Sequence, residues 1–383
     1  MTDGIALCCP RCDWQTEPGR RSRCPSHPDR QLELDYDIGA VRERFDPATQ
    51  SRSDLWRYDP LLPVEADPVT LGEGWTELAE APTTGNALGV DLGLKLEGAN
   101  PTGAAKDRGS AVVATHARER DAGRIVCAST GNAAASVAAY AARASLDCSL
   151  FVPERLPDAK AVQPLVYDAD LVTVSGGYAD AYQRCRASAS EPATVDRSAG
   201  ASPYTPAGAQ TLGFELAEQA PRADWIAVSM GNGGTLADIW RGLDLFSRAG
   251  YLADPPRLLG VQAAGCPTIH DRLHGSESGA EQPPGTCADS IDVDDPHRAE
   301  DARTALEESN GATITVSDPS IRDALGDLGA GEGVFVEPAG AAAVAGIETA
   351  LERGLVDSGE RVVAVLTGDG LKDTATALDA VGT

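Results

Sequence analysis

Short apolar runs rich in β-branched residues alternate with alanine-rich stretches of helical length, and glycines repeatedly stand where one gives way to the other. Arg124–Ala128 precedes an Ala-rich stretch to Ser145, and Cys148–Val152, Leu171–Val174, Trp225–Ser229, Leu258–Val261 and Val362–Leu366 are further runs of this kind. Runs this short and this apolar suit parallel strands buried on both faces, because a sheet with one wet face would alternate polar and apolar residues. The pattern predicts an α/β fold with parallel-rich twisted sheets, whose loops at the carboxyl ends of strands carry the chemistry. Ile38 to Val69, with Pro47, Pro60, Pro63 and Pro68, reads as a polar connector, and Gly275–Arg298, rich in Pro, Gly and acids, reads as a solvated loop.

Charge narrows the function classes. The 383 residues carry a formal charge of −26, from 58 acidic against 32 basic side chains, so nucleic-acid backbones and anionic membranes are repelled by the mean field. No run approaches the roughly 18 apolar residues of a membrane span, and Met1–Ile5 lacks the basic region and apolar stretch of a secretory leader. A soluble, cytoplasmic protein is expected. Only four lysines occur (Lys95, Lys106, Lys160 and Lys372), and acidity spread along the whole chain indicates adaptation to concentrated salt, which screens self-repulsion. In so lysine-poor a chain, a lysine set among glycines and alanines is not surface decoration. The nine cysteines argue for reduced thiols, with Cys127 and Cys148 in apolar runs as buried, inert ones.

Four of those cysteines fall in the first 24 residues. Cys9-Pro-Arg-Cys12 and Cys24-Pro-Ser-His27 are two ligand pairs with zinc-ribbon spacing, each able to turn two donors onto one tetrahedral ion. A segment of about 37 residues buries too little apolar surface to fold without such a staple. Zinc, or the relic of a zinc site, is the expectation; the alternative is exposed thiols in a leader without fixed structure, with Cys8 competing with Cys9. Four protein ligands would make the site structural.

Four glycine loops share the rest of the chemistry. Asn100-Pro-Thr-Gly-Ala-Ala-Lys106 leads into a helical stretch to about Arg120, with Asn100 as a candidate cap; it lacks the Lys-Ser/Thr ending of a phosphate-binding P-loop, which leaves a lysine projected from a helix start. Ser129-Thr130-Gly131-Asn132, between strand and helix, is either an ordinary cap cluster or a receptor for a carboxylate. Gly231-Asn232-Gly233-Gly234-Thr235, likewise placed, suits a phosphate. Thr367-Gly368-Asp369-Gly370 offers a hydroxyl at a strand end. One amine, one carboxylate site, one phosphate cradle and one neutral hydroxyl are the parts that hold pyridoxal phosphate as a Schiff base beside an amino acid.

In these loops, and in Leu71-Gly-Glu-Gly74, Glu337-Pro-Ala-Gly340 and the Cys-x-x-Cys leader running into Leu32–Asp37, the sequence resembles the threonine synthase branch of the fold-type II, tryptophan synthase β-like pyridoxal-phosphate enzymes. The resemblance spans essentially the whole chain. It implies a zinc-ribbon-like segment (1–37), a connector and start of the large domain (38–96), a small α/β domain (97–205) and a large cofactor-binding domain (206–383), assembled as a homodimer. It further implies that Lys106 is the Schiff-base lysine and the base at Cα. Asn132 would meet the cofactor's ring oxygen, Ser129 and Thr130 the substrate carboxylate, the backbone of Gly231, Asn232, Gly233, Gly234 and Thr235 the cofactor phosphate, and Thr367 the pyridine nitrogen.

Three departures bear on the substrate. Ala104-Ala105-Lys106 replaces the family's Ser-Phe-Lys, and Asp369 stands where a histidine is frequent. The family segment Asn-Ser-x-Asn-Pro-x-Arg, which grips the phosphate of O-phosphohomoserine, here reads Ala199 to Thr205, with Thr205 in the arginine's place. The charge-assisted donors that suit a phosphate are therefore missing from that segment. Threonine synthesis is the reading; β-elimination from serine or threonine, β-replacement on an activated serine, and a non-catalytic cofactor-binding regulator are the alternatives. Arg11, Arg20, Arg21 and Arg23 form only a local basic cluster, too little for nucleic-acid binding.

Overall fold

The apolar runs become strands close to where the sequence places them. The computed structural model describes residues 2–380 other than 3, 20, 22, 29, 155 and 276–284. Two units are resolved: Met1–Trp75, Asn100–Thr102 and Lys106–Thr211 form the first, and Thr76–Ala99, Gly103–Ala105 and Leu212–Thr383 the second.

The first unit is built on a four-stranded, all-parallel sheet in the order Asp170–Val174, Asp147–Pro153, Arg124–Ala128, Thr194–Asp196. Helices Lys106–Glu119 and Asn132–Ala144 bury faces of alanine and valine, among them Val112, Val113, Val137 and Ala138, against Ile125, Leu150 and Val152. A third helix, Tyr204–Ala209, lies so close to Lys106–Glu119 that a side chain at Gly208 would meet the Arg108 carbonyl at 2.1 Å. Only glycine permits that backbone approach. Ahead of the sheet, Gln15–Thr16, Ile5–Cys8 and Glu33–Tyr36 form a small antiparallel sheet over Leu7, Leu32, Cys9 and Cys24.

The stretch from Ile38 to Val69 is not a polar connector. Asp37 caps a helix over Ile38–Arg44 by accepting from the Gly39 and Ala40 N–H groups. Leu55, Trp56, Leu62, Val64 and Val69 then enter the core of the first unit. Acids and prolines between these anchors mask them in the sequence, because a chain with no regular period shows no amphipathic stripe.

The second unit carries a six-stranded sheet in the order Ala312–Val316, Arg257–Ala263, Trp225–Ser229, Arg361–Leu366, Asp91–Leu96, Leu78–Glu80, parallel except for the last, antiparallel edge strand. Helix Pro338–Glu352 packs its alanines and Ile347 into that core. The supposed solvated loop Gly275–Arg298 is also corrected: residues 276–284 lie outside the described residues, but Ala288, Ile291 and Arg298 are buried. Among the described residues no helix is long and apolar enough to cross a membrane.

Lys95, on strand Asp91–Leu96, is fully buried and binds the Glu215 carboxylate at 2.8 Å, the Gln219 side-chain oxygen at 2.7 Å and the Thr76 carbonyl at 2.7 Å. Glu215 and Gln219 lie one turn apart on helix Thr211–Gln219. A buried pair of this kind stabilises little against an apolar pair of equal volume, whereas removing one partner strands the other charge. Lys95→Met is expected to cost about 3–5 kcal/mol, and Lys95→Met with Glu215→Leu to recover most of it. Denaturant unfolding at one fixed salt concentration checks both; equal destabilisation by the single and double variants would refute the argument.

Candidate active site

Lys106 is the first residue of the helix Lys106–Glu119, and a neighbouring carboxylate positions it. The buried Asp107 reaches back to accept the Thr102 backbone N–H at 2.7 Å and its hydroxyl at 2.6 Å, so the loop before the lysine is folded onto the first turn. Burial pushes the Asp107 carboxyl above its ordinary value, against the opposing pull of those two hydrogen bonds. Asn100 does not cap this helix. Its side-chain oxygen accepts the Gly74 N–H at 3.0 Å, anchoring the loop to the Leu71-Gly-Glu-Gly74 turn. There the buried Glu73 accepts from Trp56 Nε1, Leu71 N, Thr70 Oγ1 and Tyr140 Oη, between 2.7 and 3.2 Å. The half-buried Lys106 is held from behind as well, since Arg197 Nη2 donates to its carbonyl at 3.2 Å and Arg197 Nε to Ser110 Oγ at 3.1 Å.

Ser129, Thr130 and Asn132 stand half-buried where strand Arg124–Ala128 ends and helix Asn132–Ala144 begins. Gly131 occupies the cap position and supplies no side-chain acceptor, while Ser129 Oγ accepts the Gly131 N–H at 3.3 Å. A helix start with amide donors turned outward and two hydroxyls beside them can receive a carboxylate. Ser198 and Arg197 border the same strand end: the Ala128 N–H donates to Ser198 Oγ at 2.9 Å and the Arg197 N–H to the Val126 carbonyl at 2.9 Å.

In the second unit the loop Gly231–Thr235 leads from strand Trp225–Ser229 into helix Gly234–Arg248. Gly233 has φ +84°, and side chains at Gly231 and Gly233 would meet the Ile291 backbone at 2.9 Å and the Arg298 carbonyl at 2.8 Å. The amides are thereby bare of side chains at a helix start, where the dipole favours negative charge. Arg298 packs 3.2 Å from where a Gly234 side chain would begin. Its Nη1 binds both oxygens of Asp238, its Nε binds Asp301, and its buried Nη2 has no hydrogen-bond partner among the described residues. Burial alone would lower its pKa, but the Asp238 and Asp301 carboxylates outweigh that and raise it, so the charge is permanent. Bare amides backed by an orphaned guanidinium nitrogen fit a phosphate.

Thr367 follows strand Arg361–Leu366, and its carbonyl accepts the Ala105 N–H at 3.0 Å, one residue before the lysine. Its hydroxyl donates to the buried Glu337 at 2.9 Å.

Cys9, Cys12, Cys24 and His27 converge, with one donor atom from each within 4.8 Å of all the others. Cys9 Sγ lies 3.4 Å and Cys24 Sγ 3.8 Å from His27 Nδ1, and Cys12 and Cys24 sulfurs are 3.7 Å apart. A tetrahedral ion with bonds of about 2.3 Å to sulfur and 2.05 Å to nitrogen requires S–S separations of about 3.8 Å and S–N separations of about 3.6 Å. The donor set fits zinc. Cys8 points elsewhere, toward Gln15.

Sequence reasoning passed over Asp107, Arg197, Arg298 and Glu337. Asp107 and Glu337 sit inside motifs already singled out and were open to notice; Arg197 and Arg298 carry no local signal, because what distinguishes them is burial against distant segments.

A model of the family described as pyridoxal-phosphate dependent enzymes matches residues 69–368. The chain is 35% identical to a threonine synthase of Methanocaldococcus jannaschii over 91% of this chain and 88% of that protein, and 39% identical to a threonine synthase of Bacillus sp. over 85% and 91%. Among solved structures, the processed form of threonine deaminase isoform 2 from Solanum lycopersicum has the same fold, with a TM-score of 0.67 at 20% identity over 80% of this chain and 88% of that one. By the family model and these relatives, and with a lysine at a helix start and a glycine loop of bare amides, the chain belongs to the fold-type II family of pyridoxal-phosphate dependent enzymes.

Proposed function

We propose that the chain is a threonine synthase, converting O-phosphohomoserine and water to threonine and inorganic phosphate. The observation that carries this reading is identity of 34–39% to threonine synthases over 84–91% of the chain. Lys106 is the lysine that holds the cofactor and, displaced by the substrate's amine, the base that takes the Cα proton. Bound there, pyridoxal phosphate supplies the electron sink for charge developing at Cα. Lys106 then carries protons between Cα, Cβ and Cγ; phosphate departs from Cγ with the C–O bonding electrons, and water's oxygen adds at Cβ. The amides of Gly231, Asn232, Gly233, Gly234 and Thr235 hold the cofactor phosphate, Asn132 its ring oxygen, and Ser129 and Thr130 the substrate carboxylate. Thr367 would face the pyridine nitrogen, with Glu337 behind it. The lysine-poor, acidic composition supports work in concentrated salt.

Zinc held by Cys9, Cys12, Cys24 and His27 has a structural part, since four protein donors leave no open position. The tetrahedral spacing of the donors supports this.

Purified, cofactor-loaded protein in molar salt is expected to release threonine and phosphate in equal amounts. Lys106→Ala is expected to lose the visible absorbance of lysine-bound cofactor and on the order of 10²–10⁴-fold or more in kcat. Absence of phosphate release from protein with that absorbance intact would overturn the reading. Formation of 2-oxobutanoate from threonine would then favour deamination, the alternative that Thr205 in the arginine's place suggests.

One zinc per chain is expected by elemental analysis. Cys24→Ser should release it and lower Tm, because metal-binding free energy is folding free energy for so small a segment. A wild-type protein that carries no metal, and whose Tm does not respond to added zinc, would refute the assignment.

A further inference from the structure

Arg197 is 4% exposed, and among the described residues no carboxylate pairs with it. Buried cations are expensive unless an opposite charge or a full set of acceptors compensates them. The buried Arg298 follows the rule, with Asp238 and Asp301 against it. The acid next to Arg197 in sequence, Asp196, is engaged elsewhere, by Arg186 at 2.7 Å and the Ser198 N–H at 2.9 Å. Of the five N–H groups of a guanidinium, Arg197 uses one on Nε and one on Nη2, both on neutral acceptors of the lysine helix. Three donors and a whole positive charge are left over. They are fixed to the first turn of the helix that begins with Lys106, beside the strand end that carries Ser129 and Thr130.

The position aligned with the missing arginine lies against the same helix. The Thr205 carbonyl is 2.9 Å from where a Gly109 side chain would start, and its buried hydroxyl has no partner. Thr205 and Arg197 therefore flank one stretch of helix, Lys106 to Ser110. The former offers no charge there and the latter does.

We propose that Arg197 is the cation that receives the distal phosphate of the substrate, replacing a grip that the segment Ala199–Thr205 no longer provides. This rests on the threonine synthase reading. A phosphate oxygen completes the charge balance that the fold leaves open, and the bonds to Lys106 O and Ser110 Oγ hold the guanidinium plane while the substrate is absent. Charge-assisted hydrogen bonds to a rigid fork suit phosphate better than a flexible ammonium would.

The test compares wild type, Arg197→Met and Arg197→Lys as cofactor-loaded proteins, each first shown to retain wild-type visible absorbance. Three quantities are read: KM and kcat for O-phosphohomoserine, competitive inhibition by inorganic phosphate, and the concentration of 2-aminobutyrate that half-saturates the absorbance change. 2-Aminobutyrate shares the amine and carboxylate of the substrate and lacks its phosphate. In Arg197→Met, kcat/KM should fall on the order of 10- to 100-fold, mainly through KM; phosphate inhibition should weaken in proportion; and 2-aminobutyrate should bind as before. Arg197→Lys should lie between. Unchanged KM and phosphate inhibition would overturn the proposal and make Arg197 a strut of the lysine helix. Parallel weakening of 2-aminobutyrate would overturn it too, placing the arginine at the carboxylate. If the wild type released no phosphate, the threonine synthase reading would fail by itself. Calorimetric binding of inorganic phosphate to cofactor-loaded wild type and not to Arg197→Met would then still establish the anion site, and equal binding to both, or to neither, would remove it.

Discussion

The grip of Asp107 on Thr102 decides where Lys106 stands. A lysine at a helix start is ordinarily a solvated charge on a mobile stem, in a place where the helix dipole disfavours cations. Here the two bonds from Thr102 to Asp107 fold the preceding loop against the first turn, and Asn100 passes that order to the Gly74 turn and its fully satisfied Glu73. The lysine's backbone therefore cannot swing with the loop. Because Ala104 and Ala105 are buried and carry no functional groups, positioning comes from backbone bonds and from Asp107, Asn100 and Arg197. The loss of the hydroxyl and ring of Ser-Phe-Lys is tolerable on this account, since neither group is needed to hold the turn.

A strongly acidic chain makes its buried cations informative. A buried cation can be compensated by a carboxylate or, as at Arg57, by backbone carbonyls, here those of Pro47, Gln50 and Arg52. Lys95 and Arg298 meet carboxylates, at 2.8 Å and 2.7 Å. Arg298 differs from Lys95 in keeping one orphaned nitrogen behind the glycine cradle, where an anion is wanted. At Arg298 two carboxylates compensate the charge and leave one nitrogen over, whereas at Arg197 no carboxylate among the described residues pairs with the guanidinium.

The candidate site residues were legible in the sequence where a local pattern carries them. Strand runs, helix starts and glycine loops are short-range features, so Lys106, Ser129 to Asn132, Gly231 to Thr235 and the spacing of Cys9, Cys12, Cys24 and His27 could be found from order alone. What stayed hidden depends on partners far along the chain. Lys95 meets Glu215 from 120 residues away, and Arg197 meets Lys106 from 91. The segment from Ile38 to Val69 concealed its core residues for a related reason: Trp56 and Leu62 are anchors without a period, and four prolines outweigh them in any reading by composition. Asn100 looked like a cap because Asn before Pro is a common helix opening, yet the helix starts six residues later and the amide serves another turn.

The cysteine and histidine cluster stands well apart in sequence from the lysine and is nevertheless coupled to its helix. Gly19, in the loop between the two ligand pairs, donates its N–H to Tyr204 Oη at 2.9 Å and accepts from Arg120 at 2.7 Å. Tyr204 opens the short helix that packs backbone to backbone on the lysine helix at Gly208 and Arg108, and its ring stacks on His116 of that helix at 3.4 Å between centroids. A second strut runs from Tyr36 to Gln210 at the other end of the same short helix. Two hydroxyls thus clamp the helix Tyr204–Ala209 from the side of the N-terminal sheet, and that helix is the surface against which Lys106–Glu119 is seated. A segment too small to bury a core of its own can act as a rigid bracket only if something else fixes its fold, and four converging donors at tetrahedral spacing are a sufficient means. The N-terminal cluster is then best understood as part of the mounting of the lysine helix.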